Sequence, residues 1–210
     1  GDTYYMICAT MHFFPGGTLL KSYDLVHWEI AAHVFERLDD TPAEQLEGEQ
    51  SIYGKGMWAA SLRYHKDTFY VCFASYDTGK TYIYRTKNIN EPWEKRSLDG
   101  VYHHPSLLFD EDGRIYMGYG FNEVRILELN DTLTAPKEGG FERLLVEEKQ
   151  DAYISYEGAH FYKKDGTYYI FVIQWLKGNL TQREQLCLYG DSLDGEFKKE
   201  MVFSENLGFP

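Results

Sequence analysis

Three side chains able to take part in chemistry stand at one fixed offset from a tyrosine. Glu157 precedes Tyr169 by twelve residues, His104 precedes Tyr116 by twelve, and Trp58 precedes Tyr70 by twelve. A fourth copy of the tyrosine half of this unit, Gly1-Asp2-Thr3-Tyr4-Tyr5, opens the sequence, and its offset partner would fall before Gly1. Equivalent positions in repeated units come to equivalent places in a fold. A carboxylate, an imidazole and an indole brought to one place meet the first demand of a catalytic or binding site, which is several polar groups within a few ångströms of one point.

The elements that would position them read as strands. A first strand carries the offset residue in each repeat: Gly56 to Tyr64, Tyr102 to Phe109 and Glu157 to Tyr162. Polar turns follow at His65-Lys66-Asp67, Asp110-Glu111-Asp112-Gly113 and Lys163-Lys164-Asp165-Gly166, where Asp-Gly is a strong turn dipeptide because glycine tolerates positive φ. Second strands run from Phe69 to Ala74, Ile115 to Tyr119 and Tyr168 to Ile173, apolar on both faces as in the middle of stacked sheets. Each repeat is expected to close with a further strand at Ser22 to Trp28, Glu91 to Glu94 or Asp194 to Phe197. The tyrosines Tyr5, Tyr70, Tyr116 and Tyr169 are spaced by 65, 46 and 53 residues. Four strands per period of roughly 40–50 residues is the pattern of a β-propeller. A β-sandwich, the competing all-β arrangement, predicts no fixed offset. The longest insertion, Glu36 to Gly54, is polar and acidic and is expected to hold a short helix.

Composition narrows the partners. The net charge of −12 disfavours nucleic acid and anionic membrane, and leaves a neutral ligand untouched. The 18 Tyr and 13 Phe favour strands. Cys8, Cys72 and Cys187 are an odd number without close pairs, which makes neither a disulfide framework nor a zinc site. Buried thiols favour a cytoplasmic location over a periplasmic or secreted one. No apolar run of about 18 residues spans a membrane. The sequence reads as interrupted at both ends, so that residues 1–210 form a partial domain lacking the first blade's inner strand and the last blade. A further domain or an oligomer partner is then expected to complete it.

Tyr156-Glu157-Gly158-Ala159-His160-Phe161-Tyr162-Lys163, followed by Tyr168-Tyr169, resembles the general-acid strand of glycoside hydrolase family 43. So do Ser106-Leu107-Leu108-Phe109-Asp110-Glu111-Asp112-Gly113 with Tyr116, Gly56-Met57-Trp58-Ala59-Ala60, Ser22 to Trp28, and His12-Phe13-Phe14-Pro15-Gly16. These segments cover essentially the whole chain in family order, and the β-xylosidase and α-L-arabinofuranosidase branch is the best match. The resemblance implies an all-β, five-bladed β-propeller, of which this chain covers roughly four blades. It implies an inverting glycoside hydrolase acting on xylosides or arabinofuranosides of plant polysaccharide fragments, with a small oligosaccharide as substrate. It implies Glu157 as general acid, a base Asp upstream of this sequence, and a second Asp that tunes the acid. His104 occupies that tuning position, in Tyr102-His103-His104-Pro105-Ser106. A cationic His104 lowers the pKa of Glu157; a neutral one can still orient it.

The resemblance further implies sugar contacts from Trp58, and from His12 and Phe14 in the loop after the first Tyr-Tyr strand. Trp175 reads as a stacking platform, since the aliphatic C–H faces of sugars pack on aromatic rings, and Arg183 as a donor to sugar hydroxyls or a surface ion-pair partner. No organic cofactor is required. Calcium on the propeller axis is implied, but its family ligand lies in the last blade, outside this chain, and no metal ligands are read from these residues. His103 and His160 read as packed strand histidines, and Asp110 and Asp112 as members of a plain hairpin turn. Because His104 stands where the family has Asp, a catalytically impaired carbohydrate-binding propeller is the alternative. A sialidase-like propeller is disfavoured, since Leu25 and Val26 stand where its Asp-box needs Gly and the inner strands offer only Arg63.

Overall fold

The computed structural model describes residues 2–147, 152–177 and 183–204. The chain forms two compact units, Gly1–Tyr102 and His103–Pro210. Among the described residues there is no helix, and every sheet is antiparallel with its strands in chain order.

The first unit holds a three-stranded sheet of β1 (Tyr4–Cys8), β2 (Gly16–Ser22) and β3 (Glu29–Phe35). Its second sheet comprises β4 (Ser61–His65), β5 (Thr68–Ser75), β6 (Lys80–Thr86) and β7 (Glu94–Asp99). Val34, Phe35, Met57, Val71, Phe73, Tyr82 and Tyr84 make its core. The second unit holds β8 (Ser106–Phe109), β9 (Ile115–Tyr119), β10 (Glu123–Leu129) and β11 (Glu142–Glu147) in one sheet. Its other sheet comprises β12 (Ala152–Lys164), β13 (Thr167–Leu176), β14 (Glu184–Gly190) and β15 (Lys198–Phe203). Tyr116, Val124 and Ile126 of the one sheet pack on Tyr156, Phe161, Ile170 and Leu186 of the other.

The expected turns are present with the local geometry that their residues dictate. Lys66-Asp67 joins β4 to β5 with φ of 47° and 57°, and Asp165-Gly166 joins β12 to β13 with φ of 52° and 83°. Two successive positive φ values are the primed turn that matches the twist of paired strands.

Several boundaries differ from expectation. Met57 makes only isolated bridges, to Met11 and Ser75, and β4 begins at Ser61 rather than Gly56. β8 begins at Ser106 rather than Tyr102, because His104 has φ 46° and Pro105 has no N–H to give a ladder. The segments expected as closing strands are the turns that lead into the outer strands. In Ser22–Trp28, Ser22 Oγ accepts from the Asp24 and Leu25 N–H groups, and Asp24 Oδ1 accepts from Val26 and His27. The Glu36–Gly54 insertion contains a single helical turn, with Gln45 N–H on Thr41 O and Glu47 N–H on Pro42 O. Glu44 turns inward to accept from the Asp39 and Asp40 N–H groups, at 3.3 and 2.8 Å.

Asp110 does more than make a turn. Its carboxylate is buried, accepting from Tyr168 OH and from Lys163 Nζ, each at 2.6 Å, so it ties the β8–β9 hairpin to β12 and β13. Burial alone would raise its pKa, but the Lys163 and Tyr168 hydrogen bonds win and hold it below the ordinary carboxylate value. A carboxylate with a depressed folded pKa stabilises the fold fully above its unfolded pKa, and that contribution is lost as pH falls through the folded value. Asp110→Asn, which leaves Lys163 without its buried anion, is expected to cost about 3 kcal/mol at neutral pH. It should also flatten the acid limb of stability, both read from urea midpoints across pH.

Candidate active site

His103, His104 and Glu157 come together in the second unit. His103 Nε2 lies 2.9 Å from Glu157 Oε1, and His104 Nδ1 lies 3.8 Å from the same oxygen. The three side chains are 8%, 13% and 13% exposed, so the carboxylate is largely withdrawn from water but still reachable from one side.

Two local irregularities create this meeting. Consecutive residues of a strand point to opposite faces. His104 instead takes a left-handed φ of 46°, and the His103 and His104 rings stack at 3.9 Å and 19°. Histidine visits this region more readily than most residues, at a cost of roughly 1–2 kcal/mol. On the other side, β12 slips register against β13 on both sides of Glu157, and Gly158 has φ 73°. A bulge of this kind bends its strand and re-aims a side chain.

The loop between β9 and β10 braces both parts. Gly120 N–H donates to His103 O at 3.0 Å, and Asn122 N–H donates to Tyr156 O at 2.9 Å. Asn122 Oδ1 accepts from Ser155 N–H at 2.9 Å, and Phe121 sets its ring edge-on to His103 at 5.2 Å. From β8, the Ser106 hydroxyl accepts from Phe161 N–H at 2.9 Å, beyond the bulge.

The electrostatics follow from this packing. Burial pushes the Glu157 carboxyl up, but the His103 hydrogen bond, the charges of His104 and His103, and Arg183 outweigh it and hold Glu157 below its ordinary value. His104 is itself pushed down to about 4, by burial first and then by His103, against the pull of Glu157. A ring with that value is neutral at neutral pH. The part of the pull on Glu157 that persists there is therefore the His103 hydrogen bond together with Arg183. With Glu157 ionised its oxygens only accept, so His103 Nε2 carries the proton between them.

Trp175 and Arg183 belong to the same neighbourhood. Glu157 pairs with Ile173 on β13, and Trp175 stands two residues further along the same face. The Arg183 guanidinium lies 4.1 Å over the Trp175 ring, and Tyr153, half exposed, lies 5.5 Å from it. The other expected sugar contacts lie in the first unit. His12 sits between the Phe13 and Tyr53 rings, at 4.4 and 4.5 Å. Phe14 packs on that unit's core against Phe35, which leaves Phe13 as the ring of this loop that faces solvent. Trp58 donates its backbone N–H to Ala74 O and meets Tyr76 edge-on at 5.2 Å.

Sequence reasoning passed over His103 and Tyr153. His103 lies in a bend rather than a strand, and it makes the direct bond to Glu157. Tyr153 lies in β12, which begins five residues before the expected strand start at Glu157.

The sequence profile of the family described as Glycosyl hydrolases family 43 matches residues 1–197. The chain belongs to that family. A beta-xylosidase of Formosa agariphila is 30% identical over 231 residues, covering 100% of this chain and 39% of its own length. A non-reducing end alpha-L-arabinofuranosidase of Bacteroides ovatus is 34% identical over 176 residues, covering 81% of this chain and 32% of its own length. Among solved structures, a bifunctional GH43-CE protein of Bacteroides eggerthii superposes with a TM-score of 0.91 at 37% identity, over 97% of this chain and 27% of that one. The chain thus spans two fifths or less of the length of these relatives. With the family in place, the four antiparallel sheets are propeller blades, as the repeat spacing predicts.

Gly120 carries the brace. Its φ is 148°, and a Cβ there would lie 2.0 Å from Glu123 O. Gly120→Ala is therefore expected to lower the stability of this family 43 chain by about 2 kcal/mol or more. An unchanged denaturation midpoint would show that the loop does not clasp the site.

Proposed function

We propose that this chain is part of an inverting glycoside hydrolase that cleaves xylosides or arabinofuranosides of plant polysaccharide fragments, with Glu157 as the proton donor. The observation that carries this reading is the setting of Glu157. It is a partly buried carboxylate on a strand bulge with a histidine on one oxygen, in the segment whose sequence resembles the family's general-acid strand. Inversion needs an acid and a base carboxylate about 6.5–9.5 Å apart, with water between them. The base in this reading lies outside the present sequence.

Trp175 is proposed to stack on a sugar ring, with Arg183 and the buried Trp175 indole N–H as hydrogen-bond donors to its hydroxyls. The indole nitrogen has no acceptor among the described residues, and a buried donor gains from any acceptor a ligand brings. His12, Phe14 and Trp58 are proposed as further sugar contacts. Protonation and water attack require no organic cofactor.

A second reading has its own support. A general acid works best with a pKa near the operating pH, yet Glu157 is held low and a neutral His104 supplies no negative charge to raise it. On that reading the chain binds sugar without efficient turnover.

Sugar release by the full-length protein from arabinoxylan oligosaccharides separates the two. Under the hydrolase reading xylose or arabinose is released, and Glu157→Gln lowers the rate by about 10²–10⁴-fold. His104→Asp is expected to raise the rate and to move its basic limb to higher pH, because a neighbouring carboxylate raises the pKa of Glu157. Sugar binding with no release, before and after His104→Asp, sinks the hydrolase reading.

A further inference from the structure

We propose that His103, His104 and Glu157 form a binding site for a divalent transition-metal ion of the zinc class. The candidate ligand atoms of these three residues all lie within 4.8 Å of one another. Ligand atoms at about 2.0–2.2 Å from one tetrahedral zinc stand about 3.3 Å apart. The two contacts made by Glu157 Oε1, 2.9 Å to His103 and 3.8 Å to His104, bracket that separation. Small side-chain rotations therefore admit an ion between the three, and the open side of the site leaves a fourth position for water.

The donor set selects the ion. Two imidazole nitrogens and one carboxylate oxygen suit zinc, cobalt, nickel or copper. Calcium takes six to eight oxygens, so these residues do not fit the calcium that the family resemblance implies. The backbone provides the convergence. The left-handed φ of His104 turns two neighbouring rings, which an ordinary strand would send to opposite faces, onto one carboxylate.

An ion bound here takes up the Glu157 oxygen that would otherwise carry the transferable proton. If Glu157 is the proton donor proposed above, zinc acts as an inhibitor of hydrolysis and a chelator relieves it. The site itself does not depend on that reading.

The test is calorimetric titration of the metal-free, full-length protein with zinc sulfate. One equivalent is expected to bind at this site, and His104→Ala and Glu157→Gln should each weaken it at least tenfold. His27→Ala, which removes an exposed histidine of the first unit, should leave it unchanged. Cobalt in place of zinc should give visible d–d absorption bands in the unmutated protein, a readout that no folding defect of a variant can mimic. Absence of both heat and bands in the unmutated protein overturns the proposal. So does an isotherm that survives His104→Ala and Glu157→Gln, or one that is lost with His27→Ala. Sugar release is measured separately on metal-free protein, so the hydrolase reading and the metal site can fail independently.

Discussion

The contact between His103 Nε2 and Glu157 Oε1, at 2.9 Å, organises the second unit's functional face. It joins a residue just before β8 to one in the middle of β12, so both sheets of the unit must be in register for it to form. It also requires the chain to break two local rules at once. His104 leaves the β region for a left-handed conformation, and β12 bulges at Glu157. Left-handed strain costs roughly 1–2 kcal/mol, and a hydrogen bond to a charged group contributes about 1.5–3 kcal/mol. These magnitudes are similar, so the contact alone does not hold the site in place. The surplus comes from the β9–β10 loop, which fixes His103 and Tyr156 by their backbones, and from the buried Asp110, which locks the β8–β9 hairpin to β12 and β13.

Charge then decides what this geometry can do. Burial favours a neutral Glu157, whereas the His103 hydrogen bond and Arg183 favour an anion, and the second influence prevails. An aspartate in place of His104 would tip the balance the other way, because a negative neighbour in a half-buried site opposes ionisation. The histidine does not do this. Its burial keeps it neutral, so it contributes shape and a nitrogen lone pair but no charge. On the proposed reading, the difference between a proton donor and a resting anion lies in the side chain at position 104, and not in the placement of Glu157.

Much of the fold was legible in the sequence because it depends on short-range chemistry. Lys66-Asp67 and Asp165-Gly166 make the tight turns their residues favour, and the apolar runs around Tyr116 and Ile170 become central strands. The twelve-residue register also placed His104 and Glu157 near each other correctly. It could not show which histidine would touch the carboxylate. Two adjacent residues alternate faces in any strand, so the register favours one of them, and only the left-handed turn at His104 brings both. Nor could the spacing reveal Asp110 as a buried tie. Asp-Glu-Asp-Gly is a sufficient turn signal by itself, and its partners Lys163 and Tyr168 lie more than fifty residues away in sequence. The helix expected in the Glu36–Gly54 insertion stops at a single turn. Thr41 caps it, its Oγ1 accepting from Glu44 N–H, but Leu46 and Gly48 leave the helical region directly afterwards, at φ 56° and 62°.

The features that weaken Glu157 as an acid are those that suit it as a ligand. A general acid needs its proton held firmly enough to be present at working pH, whereas a metal ligand needs its lone pairs free and its neighbours electron-rich. Stacked imidazoles beside a carboxylate held as an anion satisfy the second requirement and conflict with the first. Substrate and metal would therefore compete for one oxygen atom. Expelling water over a bound sugar raises the cost of the anion and moves the site towards proton donation, while an ion moves it towards coordination. On the two proposals taken together, the occupant beside Glu157 selects between the two chemistries, with the backbone geometry common to both.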